Sequence, residues 1–240
     1  MFKMEPPRRN LAEVKKVIMS AHESTTLEEK LQFYDRWALE YEQDVEVLEY
    51  RAPYLAAECL ASVFPADRDS QTILDVACGT GLVAVELYRH GFCIFHGVDG
   101  SERMLQHAEQ KRLYQELKLN ILGYEPLAAP TDRYDAVITV GALSIGQVPL
   151  SVMPELCRVT KPGGFLCLTT RTNHSNLQYK SELEKRLQDL EGTGLWERVT
   201  VLEVQKWEKA TSMEEASPDS DFISGAVYLY RKKVASACVL

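Results

Sequence analysis

The run Ile73-Leu74-Asp75-Val76-Ala77-Cys78-Gly79-Thr80-Gly81, followed at once by the helically spaced segment Leu82 to His90, constrains the fold more than any other part of the chain. A short apolar run that breaks into two glycines and resumes at helical spacing is a strand turned sharply into a helix. Gly79 and Gly81 lack a Cβ, so the backbone there can adopt unusual dihedrals and come close to a ligand lying across the strand end. Asp75 lies at the strand end, where a carboxylate can reach a ligand ammonium or orient the loop.

From Thr72 onward, short β-rich runs alternate with amphipathic segments, which predicts an α/β fold with a parallel sheet and crossover helices. Strands are predicted over 72–76, 93–98, 119–122, 136–140 and 165–170, with 199–204 and 226–230 as the last two. Met104, Leu105, Ala108, Leu113 and Leu117 form a stripe that predicts a helix over 102–117. Further helices are predicted over 148–159 and 177–191. Residues 10 to 63 carry no strand run. Leu11, Val14, Val17 and Ile18 recur at helical spacing there, and further helical runs begin near Leu27 and Val45. The polar joint Asp67 to Gln71 then divides the chain into a helical cover over 1–66 and a core over 67–240, both within one domain. The acidic segment 211–221 reads as a mobile loop or hairpin tip. A chain of 240 residues, 45% of them hydrophobic, buries such a core without disulfide or metal staples.

The second chemical element is Gly97-Val98-Asp99-Gly100-Ser101. Asp99 follows the glycine turn by roughly the 20 residues that place an acid on the hydroxyls of a ribose. Gly79-Thr80-Gly81-Leu82-Val83-Ala84 also fits the glycine pattern of nicotinamide enzymes, and alone it does not decide. Three features turn the reading. Asp75 would repel a pyrophosphate but pair with an amino-acid ammonium. Met104, five residues after Asp99, offers a polarisable side chain to an adenine face. Lys161-Pro162-Gly163-Gly164-Phe165 gives a turn between a helix and a strand.

Taken together, residues 30 to 172 resemble the class I S-adenosylmethionine-dependent methyltransferases, whose glycine loop, ribose acid and Lys-Pro-Gly-Gly turn occur in this order. Tyr34-Asp35-Arg36-Trp37-Ala38, Tyr41, Asp44-Val45 and Tyr50-Arg51-Ala52-Pro53 resemble the lead-in of a methyltransferase-like group within that class. The resemblance implies a Rossmann-like fold: a seven-stranded, mostly parallel sheet with an antiparallel last strand, helices on both faces and an N-terminal helical cover. It implies S-adenosylmethionine as cofactor and S-adenosylhomocysteine as product. Gly79 and Gly81 would line the methionine part, Asp99 the ribose and Met104 the adenine, with Asp75, Ala77, Gly100, Gly141 and Ala142 completing the set. Tyr34, Tyr41 and Arg51 would belong to the cover. One departure stands out, because many family members carry an adenine-binding acid after the third strand, where this chain runs Gly123-Tyr124-Glu125. Tyr124 or Glu125 would substitute.

The remaining features bound the function. A net charge of −8 argues against general nucleic-acid binding, which needs a clustered basic face. Arg8-Arg9 and Lys15-Lys16 read as solvated helix faces. No secretory leader or membrane span is expected, and the six cysteines never form a C-x-x-C pair, which points to a reducing, cytoplasmic setting without excluding nuclear entry. Cys238 stands one place too late for a prenylation box. No His, Cys and carboxylate spacing suggests a metal. Tyr34, Trp37 and Tyr41 share a helix face, either packed on the sheet or serving as an aromatic lid over a sulfonium. Arg171, Asn173 and His174 follow the fifth strand and could face an acceptor, His174 as a base, although loop side chains of this kind are more often solvated. No catalytic residue is assigned. The expected reaction is in-line methyl transfer to a small-molecule acceptor. Action on a protein, cofactor binding without turnover, and nicotinamide chemistry remain open alternatives.

Overall fold

A computed structural model describes residues 8–22, 26–212, 215 and 220–234. Four helices come first: α1 (Leu11–His22), α2 (Leu27–Trp37), α3 (Tyr41–Val47) and α4 (Ala52–Ala61). The α/β part follows as β1 (Thr72–Val76), α5 (Leu82–Arg89), β2 (Ile94–Asp99), α6 (Glu102–Gln110), β3 (Tyr114–Leu119), β4 (Tyr134–Thr139), α7 (Met153–Val159), β5 (Thr160–Arg171), α8 (Leu177–Gly192), β6 (Trp196–Lys209) and β7 (Phe222–Lys232).

The strands form one seven-stranded sheet in the order β3-β2-β1-β4-β5-β7-β6. All neighbours pair in parallel except β7, which runs antiparallel between β5 and β6. This is the Rossmann-like arrangement expected, with its antiparallel last strand. Its chain order reverses at β1, since β2 pairs on one side of it and β4 on the other. At such a switch point the crossover helices leave in opposite directions and open a crevice beyond the carboxyl ends of the strands.

Side-chain alternation divides the core between the two faces of the sheet. Ile73, Ala136, Ile138 and Cys167 face α4 and α5, together with Val83, Ala84 and Leu87. Leu74, Val76, Val137, Leu166 and Leu168 face α7 and α8, packing against Leu156, Val159, Leu183 and Leu187. Burial on both faces explains why these strands read as continuous apolar runs.

Several expectations require correction. The stripe through Leu113 and Leu117 belongs to no helix, because α6 stops at Gln110 and the chain reverses at Arg112, which has a φ of 56°. Leu117 lies in β3, which spans Tyr114–Leu119 rather than 119–122. Its polar Gln115, Glu116 and Lys118 suit a sheet edge, and they hid a period-two strand inside a helix-like spacing. The Lys-Pro-Gly-Gly segment is the irregular beginning of β5, where the pairing register with β4 shifts, and not a turn ahead of the strand. The helical run placed near Val45 is two helices, separated where Glu49 takes a φ of 54°. Of the four N-terminal helices, α4 is buried in the sheet layer, so the cover itself is α1 to α3. Arg9 departs from the solvated reading by pairing with buried Asp44 of α3, whereas Arg8 is exposed beside Glu46. Cys238 and part of 211–221 lie outside the described residues. Among the described residues, five cysteines are free thiols, no helix is long and apolar enough to cross a membrane, and no cluster suited to a metal ion occurs.

Polar ties fix the cover over the crevice. Trp37 donates its indole N–H to buried Asp44 at 2.7 Å, and Arg9 pairs with the same carboxylate. Asp35 of α2 accepts from Ser101 Oγ at 2.6 Å and from the amide of Arg103 at 3.1 Å, joining the cover to the first turn of α6. At the other end, the Arg51 amide donates to the carbonyl of Trp207 at 3.0 Å, and the Lys209 amide donates to that of Leu48 at 2.8 Å.

Candidate functional site

Between the cover and the carboxyl ends of the strands lies a cavity of about 210 Å³. Its floor begins where β1 ends. Ala77 takes a φ of 58°, a left-handed conformation costing a side-chain-bearing residue about 1–2 kcal/mol. The strain turns the chain out of the sheet into the glycine loop. Gly79 follows with a φ of 54°, and a Cβ built on it would meet no protein atom within 4 Å. Both residues line the cavity, so the loop presents bare backbone to open space suited to a ligand.

Asp99, at the tip of β2, braces this loop. One carboxylate oxygen accepts from the amide of Gly79 at 2.8 Å, and the other accepts from that of Ser101 at 2.8 Å. Each oxygen has two lone pairs, so one acceptor position on each remains for a pair of vicinal hydroxyls. Burial pushes the Asp99 carboxyl upward, while the amides of Ser101, Gly79 and Gly100 oppose the shift. Gly100, Ser101, Met104, Ile121, Leu122 and Tyr124 continue the lining. Met104 is buried and Tyr124 is largely exposed, which gives this end one closed wall and one open edge.

Beyond the end of β4, Gly141 takes a φ of 74°, and a Cβ on it would stand 2.2 Å from the Tyr50 hydroxyl. Only glycine allows the roof to come this close. Tyr34, Trp37, Tyr41 and Tyr50 form that roof, and Tyr34 donates to Gln147 Oε1 at 2.9 Å. Burial raises the phenol pKa values of Tyr34, Tyr41 and Tyr50 above the ordinary range, so these hydroxyls stay protonated at neutral pH. The aromatic face does not pack on the sheet: Trp37 is buried within the cover against Val14, Ile18 and Leu48, and its neighbours Tyr34 and Tyr41 line the cavity.

Of the residues singled out from sequence, Tyr34, Tyr41, Ala77, Gly79, Asp99, Gly100, Met104, Tyr124, Gly141 and Ala142 line one cavity. Four others stand outside the lining. Asp75 is buried behind the loop, where it accepts from the Tyr114 hydroxyl at 2.7 Å, and burial pushes its carboxyl up to about 7. Its other oxygen is buried with no hydrogen-bond partner among the described residues. Gly81 caps α5 and packs beside Tyr114. Arg51 faces β6, reaching the carbonyl of Lys206 at 3.3 Å. Glu125 folds back on the amide of Ile121 at 3.2 Å, so Tyr124 is the lining member of that pair. His174 is exposed and Asn173 lies outside the lining, whereas Arg171 is buried and lines the cavity.

Sequence reasoning missed Tyr50 as a roof residue, the apolar contribution of Ile121 and Leu122, and the pair Trp207 and Glu208 from β6. Tyr50 carried a signal in its place within the aromatic lead-in. Trp207 and Glu208 carried none, being separated from the glycine loop by more than half the chain.

A model of the methyltransferase domain matches residues 73–164. The chain is similar to human methyltransferase-like protein 27, with 55% identity over 197 residues covering 82% of this chain and 80% of that protein. It is also similar to the ubiquinone biosynthesis O-methyltransferase of Alkalilimnicola ehrlichii, at 30% identity over 65% of this chain and 64% of the relative. Among solved structures, a TehB-like S-adenosylmethionine-dependent methyltransferase from Corynebacterium glutamicum shares the fold, with a TM-score of 0.57, 15% identity, and coverage of 82% of this chain and 99% of that one.

Proposed function

Because the chain belongs to the class I S-adenosylmethionine-dependent methyltransferases, with S-adenosylmethionine as its methyl donor, we propose that it methylates a small molecule by in-line transfer inside the covered cavity. The observation that carries this reading is the roof: Tyr50 comes down onto Gly141 and Tyr34 and Tyr41 line the cavity beside it, so the cavity is covered over part of its mouth and does not run as an open groove. A small solute fits such a space, while a residue of a folded protein would need an exposed approach.

The residues present fit the cofactor. The open face of Gly79 and the strained turn at Ala77 would take the methionine part. The spare acceptor positions of Asp99 would take the ribose hydroxyls, and Met104, Ile121 and Leu122 would hold the adenine, with Tyr124 at its edge. Gly100 keeps the backbone thin beside the ribose, where a Cβ would stand 2.8 Å from Leu31. Gly141 and Ala142 would lie along the transfer path. Bound there, S-adenosylmethionine supplies a methyl already activated on a sulfonium. The aromatic roof favours such a cation by about 0.5–2 kcal/mol and keeps water out. Holding the acceptor about 3–3.5 Å from the methyl is then the main catalytic task.

The test is to incubate the protein with labelled S-adenosylmethionine and separate small solutes of a cell extract from its macromolecules. Label in the small-solute fraction supports the proposal. Label confined to protein would replace it with a protein acceptor.

A further inference from the structure

Glu208 is the unusual residue of the cavity. The pairing register of β6 with β7 breaks between Val204 and Glu208, so residues 205–207 stand out of the ladder. Trp207 falls flat onto Gly225, where a Cβ would lie 2.1 Å from the indole. The backbone on either side of Glu208 is then held by the cover: the Trp207 carbonyl accepts from Arg51, and the Lys209 amide donates to Leu48. A bulge, a stacked tryptophan and two tertiary hydrogen bonds thus fix one carboxylate in the cavity wall.

The groups facing it define its chemistry. Tyr34 and Tyr41 come from α2 and α3, Tyr50 from the turn before α4, Arg171 from the end of β5, and Glu215 from the β6–β7 connection. Arg171 pairs with Glu215 at 3.5 Å and also acts on Glu208, so the two acids share this arginine. The phenols are held protonated by burial. Among the described residues no histidine or cysteine lines the cavity; its other charged side chains are Asp99, which the loop amides engage, and Lys30 of α2. Burial pushes the Glu208 carboxyl up to about 7, with Arg171 opposing the shift and Glu215 adding to it.

Resting on the methyl-transfer reading above, we propose that this end of the cavity is an acceptor site for a small primary or secondary amine, with Glu208 as the residue that binds its ammonium and takes its proton. A carboxylate set among three aromatic faces is complementary to an organic cation. An ammonium desolvated beside a sulfonium gives up its proton more easily than in water, since burial and a like charge both lower its pKa. A carboxylate held against it can then take that proton as a general base. An aliphatic alcohol, far less acidic than an ammonium, stays several pKa units away. In the step itself, one proton passes from the ammonium nitrogen to a Glu208 oxygen. The freed lone pair forms the N–C bond to the methyl, and the C–S bond breaks with its electron pair left on sulfur. The positive charge moves from sulfur to the methylated nitrogen, and the proton on Glu208 leaves with product release.

A matched probe series tests this: benzylamine, benzyl alcohol and benzoate, titrated by NMR into the S-adenosylhomocysteine complex of the full chain. Benzylamine is expected to bind at least tenfold tighter than either analogue. In Glu208→Gln that preference should vanish while S-adenosylhomocysteine affinity stays within about twofold, which also shows that the variant is folded. Label from S-adenosylmethionine should reach benzylamine with the native protein and fall at least tenfold with the variant. Equal binding of the three probes, a preference for benzoate, or an unchanged preference in the variant overturns the amine site. Should Glu208→Gln unfold, Glu208→Asp replaces it, and undiminished methyl transfer by that shortened acid overturns the proton role. Failure of the native protein to bind S-adenosylhomocysteine sinks the cofactor reading instead, so the two failures are distinguishable.

Discussion

At one end of the cavity, Asp99, Gly79 and Ala77 come from two adjacent parallel strands and a single turn, within 23 residues of the chain. At the other end, Tyr34, Tyr50, Arg171 and Glu208 come from the cover, the end of β5 and a bulge in β6. The first end is rigid because its hydrogen bonds are local to the loop. The second exists only when distant segments meet, with two backbone hydrogen bonds and one stacked indole holding them in place. A site for an invariant ligand can be built from one motif. A site that distinguishes acceptors is free to vary because no single segment owns it.

Perturbing one end at a time sharpens that contrast. Asp99→Ala should have the largest effect, since it removes charge-assisted contacts worth about 1.5–3 kcal/mol each from the loop and the proposed ribose. Calorimetry should show S-adenosylhomocysteine affinity falling about 100-fold, and unchanged affinity in a folded variant would overturn the placement of the nucleoside. Gly225→Ala should act on the opposite end alone. The added methyl would push Trp207 off the strand at a cost of about 1–3 kcal/mol, each kcal/mol lowering Tm by about 2–4 °C. Cofactor affinity should change less than threefold, and a larger loss would show that the two ends are not independent.

A third effect is the pH dependence of stability in the cofactor-free protein. Glu208 and Asp75 are both held near 7 when folded, against ordinary values of about 4 in the unfolded chain. Between these limits the folded state binds more protons, so their joint contribution weakens as pH rises from about 4 to 7. Scanning calorimetry should therefore find that Glu208→Gln flattens one part of the fall in Tm across this range and Asp75→Asn another. An unaltered slope in both would mean that neither acid is buried as described. The smallest effect is expected of Tyr34→Phe, which loses the bond to Gln147, worth about 1 kcal/mol. A few-fold loss of cofactor affinity would fit a lid that closes over both ends.

The glycine loop, the acid at the tip of β2 and the order of strands and helices were legible because each is written in consecutive residues. An apolar strand followed by Gly79 and Gly81, and an acid at Asp99, admit few alternatives. Boundaries were harder where the sheet leaves a strand half exposed, as β3 shows. Arg51 and Asp75 were singled out by resemblance and by position in a motif, yet neither type nor position says which way a side chain turns. Arg51 turns to β6 and Asp75 to Tyr114.

The sequence by itself determined that a parallel sheet would bring a bare backbone turn and an acid together at a switch point, because alternation, glycine and strand order are local or nearest-neighbour properties. Only the tertiary structure decided what faces them. The register break in β6, the seat of Trp207 on Gly225 and the descent of Tyr50 onto Gly141 depend on contacts between segments as far apart in the chain as Leu48 and Lys209, and no local pattern encodes where such segments meet.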